Sequence, residues 1–205
     1  MSSALVVVDV QNHFCPGESL AVKDGHEVVE GINAIRDSSE FSHVVFTRDW
    51  HPQDHVSFAR NHPNQPEFST KLVNGLPQTL WPVHCEEGTV GAGFHEDLDV
   101  RDSDFIYSKG TSRDWEEYSA FGNSAMGKFT TFAEELRNRG ISKLYVCGLA
   151  TDYCVCETAI DGANQGFSVV LLEDLTRGIA PDTTDKAKAR MRGAGVEIQT
   201  VDKLA

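Results

Sequence analysis

The hydrophobic pattern of the chain alternates between short apolar runs and segments in which apolar residues recur at helical spacing. Runs such as ALVVVDV at positions 4–10 are typical of strands buried on both faces of a parallel sheet. Between the runs, apolar residues recur every three to four positions, which predicts amphipathic helices. The alternation predicts one α/β domain over residues 1–205, a parallel sheet with helices on both faces.

The pattern also places the individual elements along the chain. It predicts strands at the runs ALVVVDV, HVVFTRD, DFIYSKG, KLYVCG, FSVVLLED and VEIQT. It predicts helices over about residues 25–36, around the apolar positions Phe129, Phe132, Ala133 and Leu136, from about Tyr153, and over 182–194 with Ala187, Met191 and Ala194 facing inward.

Composition and charge narrow the classes of function. Lys and Arg number 18 against 31 Asp and Glu, a net charge of −13, and such a surface repels nucleic acid and anionic membranes. The apolar runs are too short to cross a bilayer and no signal peptide is recognisable, so we expect a cytoplasmic protein. The five cysteines are an odd number and do not indicate a disulfide scaffold.

The stretch KLYVCGLATDYCVCET at positions 143–158 contains a candidate nucleophile. A buried strand is followed by Gly148, which permits a bend, and Thr151 or Asp152 can cap a helix that begins near Tyr153. Cys154 then lies in the first helical turn, where free N–H groups and the helix dipole lower a thiol pKa below about 8.5. Simple packing is the alternative for a lone buried cysteine.

Two charged residues stand at the ends of other predicted strands. Asp9 ends the first strand and Lys109 ends the run DFIYSKG. Ligands of open α/β sheets bind outside the carboxyl ends of the strands, so both residues are placed for chemistry. The alternatives are a turn or helix cap for Asp9 and a solvated surface charge for Lys109.

The segment DWH at positions 49–51 carries a carboxylate and an imidazole two residues apart. In an extended chain, Asp49 and His51 share a face and can form half of a metal site. A chance pair of polar loop residues would have the same spacing. A further histidine, His84, lies in the segment WPVHCEEGT.

Taken together, DVQNHF, YSKG and GLATDYCV resemble the motifs of nicotinamidases, within the isochorismatase-like cysteine hydrolases. The resemblance extends over nearly the whole chain and implies an isochorismatase-like three-layer α/β/α fold. It implies Cys154 as nucleophile, Asp9 as general base and Lys109 as the third catalytic residue. It further implies an oxyanion site at the amides of Ala150 and Cys154, with a cis peptide just before Ala150.

The same resemblance implies a metal centre and a substrate pocket. The pair DWH and WPVHC is similar to the metal-binding segments of the family, which implies Asp49, His51 and His84 as ligands of one divalent ion. Zinc is expected, with iron and manganese as alternatives, and His55 remains open as an additional ligand. The matched pocket aromatics are Phe14, Trp81 and Tyr118. The chain departs from the family at His13, where aspartate is common, and at Cys156, where a polar or basic residue is frequent.

The resemblance implies hydrolysis of nicotinamide to nicotinate and ammonia through a cysteine thioester, in NAD salvage, with pyrazinamide-like analogues as further substrates. A related hydrolase acting on another small amide, such as a ureido acid, is the nearest alternative. A thiol redox protein using Cys147, Cys154 and Cys156 is a second alternative, although it lacks C-x-x-C spacing. Assembly into a homo-oligomer is left open.

Overall fold

The computed structural model describes residues 2–204 and contains an α/β architecture. Its strands are β1 (Ser2–Val8), β2 (His43–Asp49), β3 (Thr70–Val73), β4 (Leu76–Thr79), β5 (Phe105–Lys109), β6 (Gly122–Asn123), β7 (Lys128–Phe129), β8 (Ile141–Leu149), β9 (Ser168–Arg177) and β10 (Glu197–Gln199). Its α-helices are α1 (Val28–Ile35), α2 (Phe132–Asn138), α3 (Cys156–Asn164) and α4 (Pro181–Gly193).

Six strands form one central sheet in the order β10-β9-β8-β1-β2-β5, and every neighbouring pair is parallel. Successive residues of β1 face opposite sides: Val6 packs with side chains from α2, α3 and α4, whereas Val7 packs with side chains from α1. The predicted fold class, a parallel sheet with helices on both faces, is therefore confirmed.

The carboxyl ends of four strands meet at one edge of the sheet. Val8 of β1 pairs with Thr47 of β2 on one side and with Gly148 of β8 on the other, and Asp49 pairs with Lys109 at the end of β5. Gly148 has φ 107°, and a Cβ there would lie 2.1 Å from the Val8 carbonyl oxygen. A glycine is required at this close approach of two central strands.

Most helix predictions agree with the structure, with shifted boundaries. The segment 25–36 begins with a short 3-10 turn, and α1 starts only at Val28. Phe129 was expected in the helix that α2 forms but lies in β7 and is 64% exposed. Ala187 and Met191 of α4 are buried, whereas Ala194 follows the end of the helix and is half-buried.

The remaining strands form two small antiparallel pairs outside the central sheet, β3 with β4 and β6 with β7. They belong to the long connections that follow β2 and β5. Within residues 2–204, every helix is too short or too polar to pass through a bilayer.

Candidate active site

Three side chains from separate strand ends meet in a buried cluster. Lys109 Nζ lies 2.8 Å from Asp9 Oδ2 and 3.4 Å from Cys154 Sγ, to which it donates a hydrogen bond. Asp9 Oδ1 accepts a hydrogen bond from Thr47 Oγ1 at 2.7 Å. All four side chains are buried. A thiol, a carboxylate and an ammonium group thus share one buried space.

The strand that leads to Cys154 ends in a turn with the expected cis peptide between Leu149 and Ala150. The residues after it form one π-helical turn, Thr151–Val155, and α3 starts only at Cys156. The predicted side-chain cap by Thr151 or Asp152 is wrong, since neither side chain bonds the free amides of this turn. Asp152 instead accepts hydrogen bonds from the Ile179 amide and from Thr183 Oγ1, because its carboxylate turns toward the chain before α4.

The prediction of a lowered pKa for the Cys154 thiol is also wrong. Burial raises the pKa of Cys154 well above its usual value, Lys109 opposes the rise, and Asp9 adds to it. Burial likewise raises the pKa of Asp9 despite the neighbouring ammonium. Desolvation outweighs the helix-end effect here, so burial favours the thiol form of Cys154 beside a carboxyl group whose pKa is also raised.

A second cluster contains the predicted metal ligands and shares Asp49 with the first. Asp49 Oδ1 accepts from Lys109 Nζ at 2.5 Å, while Oδ2 lies 3.5 Å from His51 Nε2 and 3.9 Å from His84 Nε2. Ligand atoms of Asp49, His51 and His84 all lie within 4.8 Å of one another. This spacing matches three ligands around one ion.

The backbone fixes which nitrogen of each histidine is available. His51 Nδ1 bonds the Gly110 carbonyl and His84 Nδ1 bonds the Pro82 carbonyl, both at 2.8 Å. A carbonyl oxygen only accepts, so each Nδ1 carries the proton and each Nε2 is left free toward Asp49. His51 Nε2 is buried without a hydrogen-bond partner. Two imidazoles and one carboxylate fit zinc, iron or manganese, and the residues therefore fit a divalent ion.

The charges of this cluster respond to the shared carboxylate. Burial disfavours the charged form of His51, but Asp49 outweighs it and raises the pKa of His51 to about 9. Burial and the neighbouring His51 lower the pKa of His84 to about 4. Lys109 and the histidines hold the pKa of Asp49 below its usual range against the effect of burial. Asp49 therefore stays ionised, as a metal ligand must.

His55, left open as a further ligand, has both ring nitrogens engaged. Its Nδ1 accepts from the Ser57 amide at 3.3 Å and lies 2.8 Å from Ser57 Oγ, while Nε2 lies 3.2 Å from the Trp115 carbonyl oxygen. The ring stacks on that of His51 with centroids 4.0 Å apart. These contacts assign His55 to supporting His51, because no nitrogen is free to bind an ion.

A cavity opens beside both clusters and is lined by all three predicted pocket aromatics. Trp81 Nε1 donates to Tyr118 Oη at 3.0 Å, and Phe14 packs against the ring of His84. The complete lining is Phe14, Leu20, Val22, Asp49, Trp81, His84, Glu116, Tyr118, Ala150, Tyr153, Cys154 and Ile179. The cavity is thus small and largely apolar, with the reactive groups on one wall.

Sequence reasoning missed five of these lining residues. Tyr153 could have been found from its position beside Cys154 in the turn, and its ring lies 5.3 Å from that of Trp81. Leu20, Val22 and Ile179 carry no local signal because they reach the cavity through tertiary packing. Glu116 lies in the pair EEY, where nothing in the sequence separates it from its neighbour Glu117.

His13, the departure from the family pattern, lies outside this lining. Its Nδ1 accepts from the Cys85 amide at 2.8 Å, which anchors the residue that follows His84. A Cβ at Gly91 would lie 1.9 Å from His13 Nε2, so the glycine makes room for the ring. His13 therefore orders the chain behind the candidate metal ligand His84.

The fold and the site together define an α/β protein with the buried reactive groups of a cysteine hydrolase at the carboxyl edge of its parallel sheet. A family model described as the isochorismatase domain matches residues 3–203, and the chain belongs to this family.

Its relatives include enzymes of known name. The chain is 41% identical to the nicotinamidase of Acinetobacter baylyi, over 86% of this chain and 81% of that protein. A nicotinamidase and pyrazinamidase structure from Acinetobacter baumanii superposes with a TM-score of 0.93 at 41% identity, covering 99% of this chain and 98% of that one. The structure of a Pyrococcus horikoshii pyrazinamidase in complex with zinc superposes with a TM-score of 0.79 at 36% identity. The match covers 98% of this chain and 99% of that one.

Members with another substrate are more distant. The ureidoacrylate amidohydrolase of Azorhizobium caulinodans is 28% identical over 90% of this chain and 80% of its own length.

Proposed function

We propose that this protein is a metal-dependent amidohydrolase that converts nicotinamide to nicotinate and ammonia, as in NAD salvage. The observation that carries the proposal is one small apolar cavity whose wall holds Cys154, Ala150, Asp49 and His84 together. A flat aromatic amide needs such a cavity, with a nucleophile at one end and a polar anchor at the other. The names of the relatives at 41% identity support the same substrate.

In the proposed first half-reaction, Asp9 accepts the thiol proton of Cys154 and the sulfur bonds the carboxamide carbon. Asp9 then returns the proton to the amide nitrogen, the carbon–nitrogen bond breaks and ammonia leaves a thioester. In the second half, water gives a proton to Asp9 and its oxygen attacks the thioester carbon. The carbon–sulfur bond breaks, the acid is released and Cys154 regains its proton. The raised pKa of Asp9 suits a group that must hold this proton.

Lys109 and the turn after β8 have supporting tasks. The ammonium contacts both Asp9 and Cys154, so it stabilises the thiolate as the proton moves. We assign the oxyanion to the amides of Ala150 and Cys154, because both residues border the cavity beside the sulfur.

Asp49, His51 and His84 are proposed to hold one divalent ion. Zinc is the ion we infer, since a pyrazinamidase relative has a structure with zinc, and iron or manganese would suit the same donors. When bound, the ion supplies a Lewis acid that accepts the lone pair of the pyridine nitrogen and so orients the ring.

We further infer that the chain works as one domain in the cytoplasm and that pyrazinamide-like analogues enter the same cavity. The family match over residues 3–203 supports a single functional unit. A ureido acid remains the alternative substrate, and the lower identity to the ureidoacrylate enzyme disfavours it.

Ammonia release from nicotinamide, pyrazinamide, benzamide and a ureidoacrylate tests the proposal, with the metal content of the same sample measured in parallel. We expect rapid turnover of the first two amides and slow turnover of benzamide, which lacks a ring nitrogen. Turnover of the ureidoacrylate alone would reject the nicotinamidase assignment and support the alternative.

A further inference from the structure

The charge around the metal ligands is incomplete without another anion. Asp9 and Asp49 supply two carboxylates, and the buried ammonium of Lys109 contacts both. One positive charge among two negative charges leaves at most one net negative charge for a divalent ion. Buried charges are costly unless they are compensated, so an ion here needs a further negative group nearby.

Glu116 is a buried carboxylate on the other side of His51. Its ligand atom, one nitrogen of His51 and one of His55 all lie within 4.8 Å of one another. Its side chain is only 5% exposed, and it lines the same cavity as Asp49 and His84. The groups Asp49–His51–His84 and His51–His55–Glu116 thus share one imidazole.

The two oxygens of Glu116 differ in their partners. Oε1 accepts a hydrogen bond from the Glu117 amide at 2.9 Å. Oε2 is buried and has no hydrogen-bond partner among the described residues. A buried carboxylate oxygen without a donor is unfavourable by itself, so its position indicates a partner that is not part of the chain.

The neighbouring histidines do not supply a donor to Glu116 Oε2. Among the described residues, the imidazoles beside this carboxylate are those of His51 and His55. His51 Nδ1 bonds the Gly110 carbonyl and His55 Nε2 lies 3.2 Å from the Trp115 carbonyl, so neither nitrogen donates to Oε2. An ion between Asp49, His51 and His84 would bring bound water, and with it a donor, to this side of His51.

We propose that Glu116 is a positioning residue of the metal centre, whose free oxygen Oε2 accepts a hydrogen bond from a water that completes the ion's shell. Its charge then balances the divalent ion that Lys109 would otherwise repel. The inference rests on the proposed metal centre and adds a residue to it. It also gives the ion a polar support at the cavity wall where the substrate ring enters.

Glu117 provides a matched control, because it is the same residue type, adjacent and equally buried. Its Oε2 accepts from the Gly110 amide at 2.7 Å and its Oε1 from Trp115 Nε1 at 3.0 Å. Both oxygens therefore have protein donors, and its role is to hold the chain after Lys109. Replacing it should weaken the fold and leave the affinity for the ion nearly unchanged.

The test measures the Kd for Zn²⁺ and for Mn²⁺ by competition with a chromogenic chelator, and the Tm of each apo protein. For Glu116→Gln we expect a 10–100-fold weaker Kd, the range seen for residues behind metal ligands, with an apo Tm equal to or above that of the wild type. For Glu117→Gln we expect a lower Tm and a Kd within about threefold of the wild type.

An unchanged Kd in Glu116→Gln would overturn the proposal, and so would an equal loss of affinity in both variants. If the wild-type protein binds neither Zn²⁺ nor Mn²⁺, the proposed metal centre is rejected, and the role of Glu116 with it. The measurement of ion affinity needs no substrate. A negative result in the nicotinamide assay would therefore not affect the conclusion about Glu116.

Discussion

The two buried clusters differ in how their polar atoms are satisfied, although they share Asp49. In the Asp9–Lys109–Cys154 cluster, the ammonium lies within 3.4 Å of each partner and balances nearby negative charge. In the histidine cluster, His51 Nε2 and Glu116 Oε2 are buried without hydrogen-bond partners. Asp9 Oδ2 also lacks a hydrogen bond, but the Lys109 ammonium lies 2.8 Å from it as an ion-pair partner. The first cluster therefore has its charge partners within the chain, whereas Glu116 Oε2 of the second has neither a hydrogen bond nor an ion pair among the described residues.

Because of this difference, we expect substitutions in the two clusters to change different measurable properties. Changes in the first should affect the chemical step and the fold, since its charges compensate one another inside the protein. Changes in the second should affect ion affinity and the response to pH, since its partners come from solution. Asp49 connects the two responses through one carboxylate.

The largest effect is expected from removing the sulfur. Cys154→Ala should lower nicotinamide turnover by roughly 10⁴-fold or more, because no other group in the cluster can form the thioester. Its ion affinity should remain close to that of the wild type, which separates the two clusters. Steady-state ammonia release and zinc titration measure the two quantities.

Cys156→Ser is the control for this experiment. Cys156 is buried two residues further on, where its thiol contacts the Ala187 carbonyl at 3.7 Å and faces away from the cavity. Its serine variant should retain activity. Full turnover in Cys154→Ala, or loss of turnover in both variants, would contradict the proposed nucleophile.

A large loss of stability is expected from removing the buried cation. Lys109→Met removes the ammonium that contacts both Asp9 and Asp49, which should lower the free energy of unfolding by about 3–5 kcal/mol. Asp9→Asn added to this variant should recover part of the loss, since one uncompensated charge disappears. Denaturant unfolding in the presence of chelator measures both. A double variant less stable than Lys109→Met would contradict the charge-balance explanation.

The sequence was sufficient for the first cluster because topology determines where its members meet. Asp9 and Lys109 follow apolar runs, and parallel strands bring their carboxyl ends to one edge. The strand order placed these residues, and the resemblance to the nicotinamidase family favoured catalytic roles over a cap, a surface charge or simple packing. Cys154 was placed by the same rule, although its helix begins later than the hydrophobic pattern indicated.

The second cluster was predicted only in part because loops supply its support. His51 and His84 stand in recognisable segments, whereas Glu116 and its neighbour are identical in type and differ only in their contacts. The role of His55 likewise depends on the Trp115 carbonyl, 60 residues away. Such contacts follow from loop packing, which periodicity does not describe.

The histidine cluster should also produce a measurable dependence of stability on pH. Burial lowers the pKa of His55 to about 4 from 6.5, so the fold favours its neutral form. The preference for neutral His55 contributes to the free energy of unfolding. This stability is fully present above pH 6.5 and is lost as the pH falls toward 4, by up to about 3 kcal/mol. His84 contributes in the same direction.

Chemical unfolding of the apo protein between pH 7.5 and 4 checks this dependence, with His55→Gln as the comparison. The variant should be less stable at pH 7.5, because it loses the contacts of the imidazole with Ser57 Oγ and with the Trp115 carbonyl oxygen. Its stability should also change less with pH. Parallel curves for both proteins would show that His55 does not titrate in the expected range.

The smallest effect is expected at a carboxylate outside both clusters. Asp161 on α3 lines a second cavity, and burial raises its pKa, with Glu157 adding to the rise. A raised pKa favours the protonated form, so this contribution is present below pH 3.8 and is lost as the pH rises through the folded pKa. Asp161→Asn mimics the protonated form. It should therefore increase the Tm at pH 7 by a few degrees, which corresponds to a gain in unfolding free energy of less than about 1 kcal/mol.

The difference in Tm between Asp161→Asn and the wild type should shrink as the pH is lowered toward 4, since the wild-type carboxyl then takes up its proton. Calorimetry at several pH values measures this. A lower Tm for the variant at pH 7 would mean that the ionised carboxylate stabilises the fold. In that case the hydroxyl groups of Ser119 and Ser124 and the charge of Arg190 would outweigh the cost of burial at Asp161.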